Sequence, residues 1–328
     1  MISRYILIGG LGFIGKNIYS QIRKISNAPI IIIDDERRGS VDVFWKNSLL
    51  NESDGSLKIL SKDARNVNML SQFLTEHSAV FHLAGSWITD CVEDPQNAYL
   101  NNIALAQSIG EACLFSRVQV LVFSSSTSIY GSTVSKPLTL HTPTQCEDHY
   151  SASKKASEDI LTAYYYESLR GNHQPFALSI LRYLNVYGPH QHYMGGAGSV
   201  IANFIESSHA DKPTRIYGYP TSKYDFVFSQ DVAIANLIAA QKKGLNKYLV
   251  GTSHPISLNK LALSIWEAQG KTPLIEVVAP RGFVQPSMRV CSQRDRKKLF
   301  GGMQLTLLDK GLRDTIAAYR AHHLSIQS

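Results

Sequence analysis

Tyr150-Ser151-Ala152-Ser153-Lys154 sets a phenol and an ammonium four residues apart. On a helix, residues at that spacing share a face and their ends can meet. A tyrosine whose ordinary pKa is about 10 is a poor base at neutral pH, but a neighbouring ammonium favours the phenolate, which can take a proton from a hydroxyl. The spacing carries little alone: the chain has 16 tyrosines, and Tyr219–Lys223 repeats it. There Pro220 follows the tyrosine and no serine-rich strand end precedes it. What sets Tyr150 apart is Phe123-Ser124-Ser125-Ser126, closing an apolar run ahead of Ile129-Tyr130-Gly131. Serines at a strand end can simply cap a turn. Where the strand belongs to a doubly wound sheet, they line the ligand crevice and can hold a substrate hydroxyl.

A second cluster opens the chain. Tyr5–Ile8 runs into Gly9-Gly10-Leu11-Gly12-Phe13-Ile14-Gly15 and then a helical pattern. Glycines three apart permit a tight turn and close approach of the backbone to a pyrophosphate. The helix start at Phe13 and Ile14 offers open N–H groups and a positive dipole end. Asp34 ends the second apolar run, where a carboxylate binds the adenosine ribose of a dinucleotide. It favours NAD, because it repels a 2′-phosphate; Arg37 and Arg38 read as surface charge, with NADP the alternative they leave open. Asp63, beside Ala64, either meets the adenine amino group or caps the helix starting near Asn66. The serines at 124–126 would then also face the nicotinamide end.

These clusters need a scaffold. Apolar runs at Tyr5–Ile8, Ile30–Ile33, Leu57–Leu60, Ala79–Leu83, Val118–Phe123 and Phe176–Leu181 alternate with helical spacing at Phe13–Ile25, Val67–Thr75, Ala98–Phe115 and Ser153–Leu169. Runs without polar alternation suit a parallel sheet covered on both faces. The expectation is an α/β fold: a Rossmann-type doubly wound parallel sheet with a smaller C-terminal substrate lobe. Residues 1–184, with a return segment near 225–252, form the NAD-binding domain; 185–224 and 253–328 form the lobe. Within the lobe, 185–198 and 212–223 read as irregular, and Leu308–Leu324 as a closing helix.

Composition fits this picture. Of 328 residues, 44% are hydrophobic and 18% charged, an ordinary globular balance. Four scattered cysteines show no metal-ligand spacing, so no metal is expected, and they suit a reducing cytoplasm. No apolar run is long enough to span a membrane, and no cleavable leader is expected. The net charge of +7 includes one dense basic cluster, 294–298, which has no interleaved aromatics and reads as one face of a short helix; this argues against nucleic acid, and the basic balance suits a diphosphate-bearing substrate.

Taken in order, "IGGLGFIG", "VFHLAG" (Val80–Gly85), "DPQNAYLNN", "FSSSTSIYG", "YSASK", "LRYLNVYGPHQ" and "DFVFSQDV" resemble the extended short-chain dehydrogenase/reductases, specifically the NAD-dependent sugar-nucleotide epimerase/dehydratase family. The resemblance implies that Ser126, Tyr150 and Lys154 are catalytic, and that Leu83, Ala84, Gly85, Asn102 and Ser124 join the glycine loop, Asp34, Asp63 and Ala64 around NAD. It implies that Asn185 and Arg281 contact the substrate diphosphate. Lys223 would stand in for an arginine that the family carries where this chain has Tyr224. Trp87, Val284 and Cys291 also depart from the family pattern, which leaves the sugar and the nucleotide open. Thr127 and Ser128 replace the Asp-Glu pair of the dehydratases, arguing against water elimination.

The resemblance further implies 4-epimerisation of a nucleotide-diphosphate sugar: the Tyr150 phenolate takes the C4 hydroxyl proton, and hydride leaves and returns to the other face. The alternative is an NAD(P)-dependent reductase or dehydrogenase of a 4-keto-6-deoxy nucleotide sugar. A third, non-enzymatic cofactor-sensing reading stands against the retained tyrosine and lysine. A homodimer through Ala98–Phe115 and Ser153–Leu169 is implied as well.

Overall fold

The computed structural model describes residues 2–37, 56–132, 136–171, 174–191, 199–280 and 288–327. The chain forms two compact units. The larger comprises Met1–Ile129, Gln145–Arg182 and Ala233–Tyr248; the smaller comprises Tyr130–Thr144, Tyr183–Val232 and Leu249–Ser328.

The unbroken apolar runs become the strands of the larger unit. β1 (Arg4–Ile8), β2 (Ile30–Asp34), β3 (Leu57–Ser61), β4 (Ser78–His82), β5 (Val120–Ser126), β6 (Ala177–Tyr183) and β10 (Leu245–Val250) form a seven-stranded sheet in the order β10-β6-β5-β4-β1-β2-β3. The pairs β1–β2, β2–β3, β1–β4 and β4–β5 are parallel. Strand order reverses between β1 and β4, the switch point at which doubly wound sheets bind ligands. Helices α1 (Phe13–Ile25), α2 (Val67–Ser71), α3 (Ile88–Glu93), α4 (Pro95–Ala98), α5 (Leu105–Phe115) and α6 (His149–Ser168) belong to this unit. Ile109, Ala112 and Cys113 of α5 and Leu161 of α6 pack with Ile6, Val80, Leu121 and Ile180 of the strands in one core, which is what two-sided burial requires.

Two helices differ from the sequence expectation. Ala98–Phe115 is not one regular helix: a π-helical turn, Tyr99–Ala104, joins α4 to α5. The helix expected from Ser153 begins at His149, because the Asp148 side chain accepts from the Ser151 N–H at 2.6 Å and caps it. Tyr150 therefore sits in the first turn.

In the smaller unit, β7 (Asn185–Tyr187), β9 (Lys223–Phe228), β11 (Pro255–Ser257) and β13 (Met288–Arg289) share a sheet centred on β9. β8 (Thr214–Tyr217) and β12 (Ile275–Val278) pair in parallel. The stretches 185–198 and 212–223, expected to be irregular, thus each contribute a strand, while 192–198 lies outside the described residues. Helices α7 (Val200–His209), α9 (Leu258–Ala268) and α11 (Leu308–Gln327) bury Ile201, Ile205, Leu261, Ile265, Leu312 and Ile316 with Tyr187, Phe226 and Phe228. The basic run at 294–298 lies in α10 (Gln293–Phe300). The segment near 225–252 divides. β9 hydrogen-bonds within the small sheet, whereas β10 forms the edge of the large one; α8 (Ser229–Ala240) is the chain between them.

Candidate active site

At the glycine loop the backbone turns on itself too closely for side chains. Gly9 has φ +79°, and a Cβ there would lie 2.5 Å from the Ala84 nitrogen; one on Gly15 would lie 2.4 Å from the Gly10 carbonyl oxygen. Gly12 is the N-cap of α1 and puts no side chain over the helix start at Phe13 and Ile14. Asp34 closes β2 against this loop: one oxygen accepts from the Leu11 N–H at 3.1 Å, the other from the Glu36 N–H at 3.0 Å. Burial raises its pKa above the ordinary carboxylate value, and those two amides oppose the shift.

Asp63 is bound by Arg65, whose Nη2 lies 2.6 Å away, and this hydrogen bond lowers its pKa. It does not cap the following helix; Asn66 does, accepting from the Met69 N–H at 3.0 Å. Ala64 is buried beside it. Arg37 pairs with Asp35, and Arg38 lies outside the described residues.

Beyond β4, the Leu83 and Ala84 N–H groups both donate to the Ile8 carbonyl at 2.9 Å, holding this strand end beside β1. A Cβ on Gly85 would stand 2.6 Å from Asn102 Oδ1 and 3.3 Å from Lys154 Nζ. Asn102 comes from the π-helical turn; it accepts from the Ser86 N–H at 2.9 Å and donates to Ser153 Oγ at 2.8 Å. Ser153 Oγ in turn donates to the Tyr150 carbonyl at 2.8 Å. Asn102 thus ties the strand end to the helix that carries Tyr150 and Lys154. Ser153 lies between the tyrosine and the lysine in the sequence, but nothing in the spacing marks it as the bridge.

Lys154 is buried, with Nζ donating to the Ser124 carbonyl at 3.1 Å and lying 6.0 Å from the Tyr150 ring centre. Burial drives its pKa down to about 8, while Cys91 and Glu158 oppose the shift. Tyr150 is half-buried. Ser124 is buried, and Ser126, half-buried at the end of β5, accepts from the Ser128 N–H at 3.1 Å. The larger unit therefore brings together Ser124, Asn102, Gly85 and Lys154, with Tyr150 one helical turn before the lysine. In the smaller unit, Asn185 Nδ2 donates to the Asp225 carbonyl at 3.1 Å, and Lys223 begins β9 exposed. Arg281 and Val284 lie outside the described residues. Trp87 is the N-cap of α3.

The residues present fit a dinucleotide: a side-chain-free turn leading into α1, a carboxylate at the end of β2, and a buried ammonium flanking Gly85. Residues 5–251 match the NAD dependent epimerase/dehydratase family, and the chain belongs to it. A UDP-glucose 4-epimerase of Mycolicibacterium smegmatis is 28% identical over 323 residues, covering 97% of this chain and 98% of that one. A UDP-glucose 4-epimerase of Thermus thermophilus, solved in complex with NAD, superposes with a TM-score of 0.81 at 26% identity over 97% of this chain and 99% of that one. A UDP-N-acetylglucosamine 4-epimerase of Methanobrevibacter ruminantium M1 shares the fold at a TM-score of 0.85 and 23% identity, over 98% and 99% of the two chains.

Proposed function

We propose that this chain is an NAD-dependent nucleotide-sugar 4-epimerase, with Ser126, Tyr150 and Lys154 as its catalytic residues. The observation that carries the reading is the buried Lys154 ammonium, held on the Ser124 carbonyl one turn beyond Tyr150. Bound NAD supplies a hydride acceptor and donor. Gly9, Gly12 and Gly15 receive its pyrophosphate, Asp34 its adenosine ribose, and Gly85, Asn102, Ser124 and Lys154 its nicotinamide end. Asp63 and Ala64 border the adenine.

Tyr150 takes the proton of the C4 hydroxyl as the sugar is oxidised to the 4-keto form, and returns it when the other face is reduced. Ser126 orients that hydroxyl. Lys154, charged, keeps the phenolate favoured. Asn185, Lys223 and Arg281 of the smaller unit hold the diphosphate. Relatives named as 4-epimerases, together with Thr127 and Ser128 just beyond the end of β5, support epimerisation over dehydration.

Conversion of UDP-glucose without added coenzyme tests this, because an epimerase regenerates its coenzyme while a keto-sugar reductase consumes it stoichiometrically. Tyr150→Phe is expected to lower kcat by about 10²–10⁴-fold. Undiminished turnover in that variant would remove the assigned base.

A homodimer belongs to the same proposal. Tyr99, Leu100, Phe115, Tyr166 and Leu169 are exposed on the π turn, α5 and the end of α6, which is more apolar surface than those helices need as a solvent face. Light scattering should return twice the chain mass; a monomer at micromolar concentration would rule this face out. The four free cysteines support a reducing, cytoplasmic setting.

A further inference from the structure

We propose that Glu158 and Arg182 are positioning residues for the epimerase: their buried ion pair, joined to Ser125, seats α6 on β5 and fixes a carboxylate one helical turn beyond Lys154. The inference rests on the function proposed above.

Glu158 follows Lys154 by four residues on α6, and its side chain is 0% exposed; that of Arg182, at the end of β6, is 5% exposed. Arg182 Nε donates to Glu158 Oε1 at 2.9 Å and Nη2 to Oε2 at 2.6 Å, a two-point grip that fixes the carboxylate plane. Ser125 Oγ donates to Oε1 at 2.6 Å. One turn earlier on the helix, Lys154 Nζ holds the carbonyl of Ser124. Consecutive residues of β5 are therefore gripped by consecutive turns of α6, and the next residue is Ser126. A slide or tilt of α6 would displace the tyrosine and lysine from that serine together.

The pair's electrostatics point the same way. Among the described residues, the charged and titratable groups around Lys154 are Tyr150 and Glu158 on its own helix, Cys91 of α3 and His82 of β4, with Arg182 of β6 bound to Glu158; the π turn brings the uncharged Asn102. Burial drives His82 far below its ordinary pKa, so it is neutral, and it brings no negative charge. Cys91 is fully buried. Cys91 and Glu158 both favour the charged lysine, and Glu158 is the one held as a carboxylate by a guanidinium. A buried ion pair rarely stabilises a fold more than apolar side chains of the same size. Its placement one turn behind the lysine is better explained by what it does to the lysine.

The test uses the full-length chain with Glu158→Gln/Arg182→Gln, which removes both charges and strands neither. The lysine Nζ NMR resonance of Lys154, assigned by its loss in Lys154→Arg, is titrated alongside the pH profile of kcat for UDP-glucose. Without the carboxylate, Lys154 should lose its proton at a lower pH, and the alkaline fall of kcat should move with it, at a KM within about twofold of wild type. A folded double variant whose lysine titration and alkaline limb both stay in place would overturn the proposal, whatever its overall rate.

If the double variant does not fold, Glu158→Asp keeps the charge and shortens its reach to Ser125. There kcat should fall at unchanged KM, and wild-type kcat would overturn the positioning role. A chain that never converts UDP-glucose rules out that substrate for the proposed function while leaving the lysine titration to decide the pair.

Discussion

Glu158 in the larger unit and Asp225 in the smaller are both carboxylates wholly withdrawn from water, yet their partners differ in kind. Glu158 meets a guanidinium and one hydroxyl. Among the described residues, Asp225 meets only neutral donors: the N–H groups of Thr252 at 2.9 Å, Ser253 at 2.8 Å and Cys291 at 3.2 Å, and the Thr252 hydroxyl. Three of those donors are backbone amides, so Asp225 pins chain segments. An ion pair pins side chains, and its charges act on neighbours. The first arrangement suits a frame, the second a reaction centre. The difference should also show in what happens when each carboxylate is removed.

The largest effect is expected at Glu158. Glu158→Leu leaves Arg182 buried without its counter-charge and should destabilise the chain by about 3–5 kcal/mol in urea unfolding, whereas Glu158→Leu/Arg182→Leu should recover most of that loss. Equal stabilities for the single and double variants would show that the two charges are not coupled.

A smaller loss is expected at Asp225. Asp225→Asn turns an amide NH₂ toward donors and should cost about 1–3 kcal/mol. Its pH dependence carries the contrast. Burial raises the Asp225 pKa above the ordinary 3.8, against the pull of its hydrogen bonds. The folded chain therefore keeps this proton where the unfolded chain has lost it. The stability this supplies is full below the ordinary value and is lost as pH rises through the folded one. The stability gap between wild type and Asp225→Asn should widen as the pH of urea titrations is lowered from neutral toward the ordinary carboxylate range. A constant gap would mean that the dipoles alone hold Asp225 ionised.

Features confined to a few adjacent residues are legible in the sequence. Ile30–Ile33 could hardly be anything but a strand buried on both faces, and the glycine spacing and the Tyr150–Lys154 spacing are local patterns with local causes. What escapes is set by contacts distant along the chain. Nothing near Arg182 announces a partner 24 residues earlier, and nothing near Asp225 announces the amide of Cys291, 66 residues on. Residues 130–144 belong to the smaller unit because Leu138 exchanges backbone hydrogen bonds with Val290 and Ser292, a pairing that no local pattern reveals. A helix start at Ser153 hides the true cap, because Asp148 precedes the residues at which the apolar spacing becomes visible.

The π-helical turn between α4 and α5 gives the segment two phases. An ordinary helix advances about 100° per residue, so one surplus residue rotates everything ahead of it by that angle relative to everything behind. Ahead of the slip, Ala98 faces inward, and within the wide turn Asn101 reaches Ser86 Oγ at 3.1 Å beside Asn102; behind it, Leu105, Ile109 and Ala112 face the sheet. A single screw would have to choose between a polar stripe for the strand end after β4 and an apolar stripe for the core. With one residue out of step, the same continuous rod keys into two locks cut at different angles.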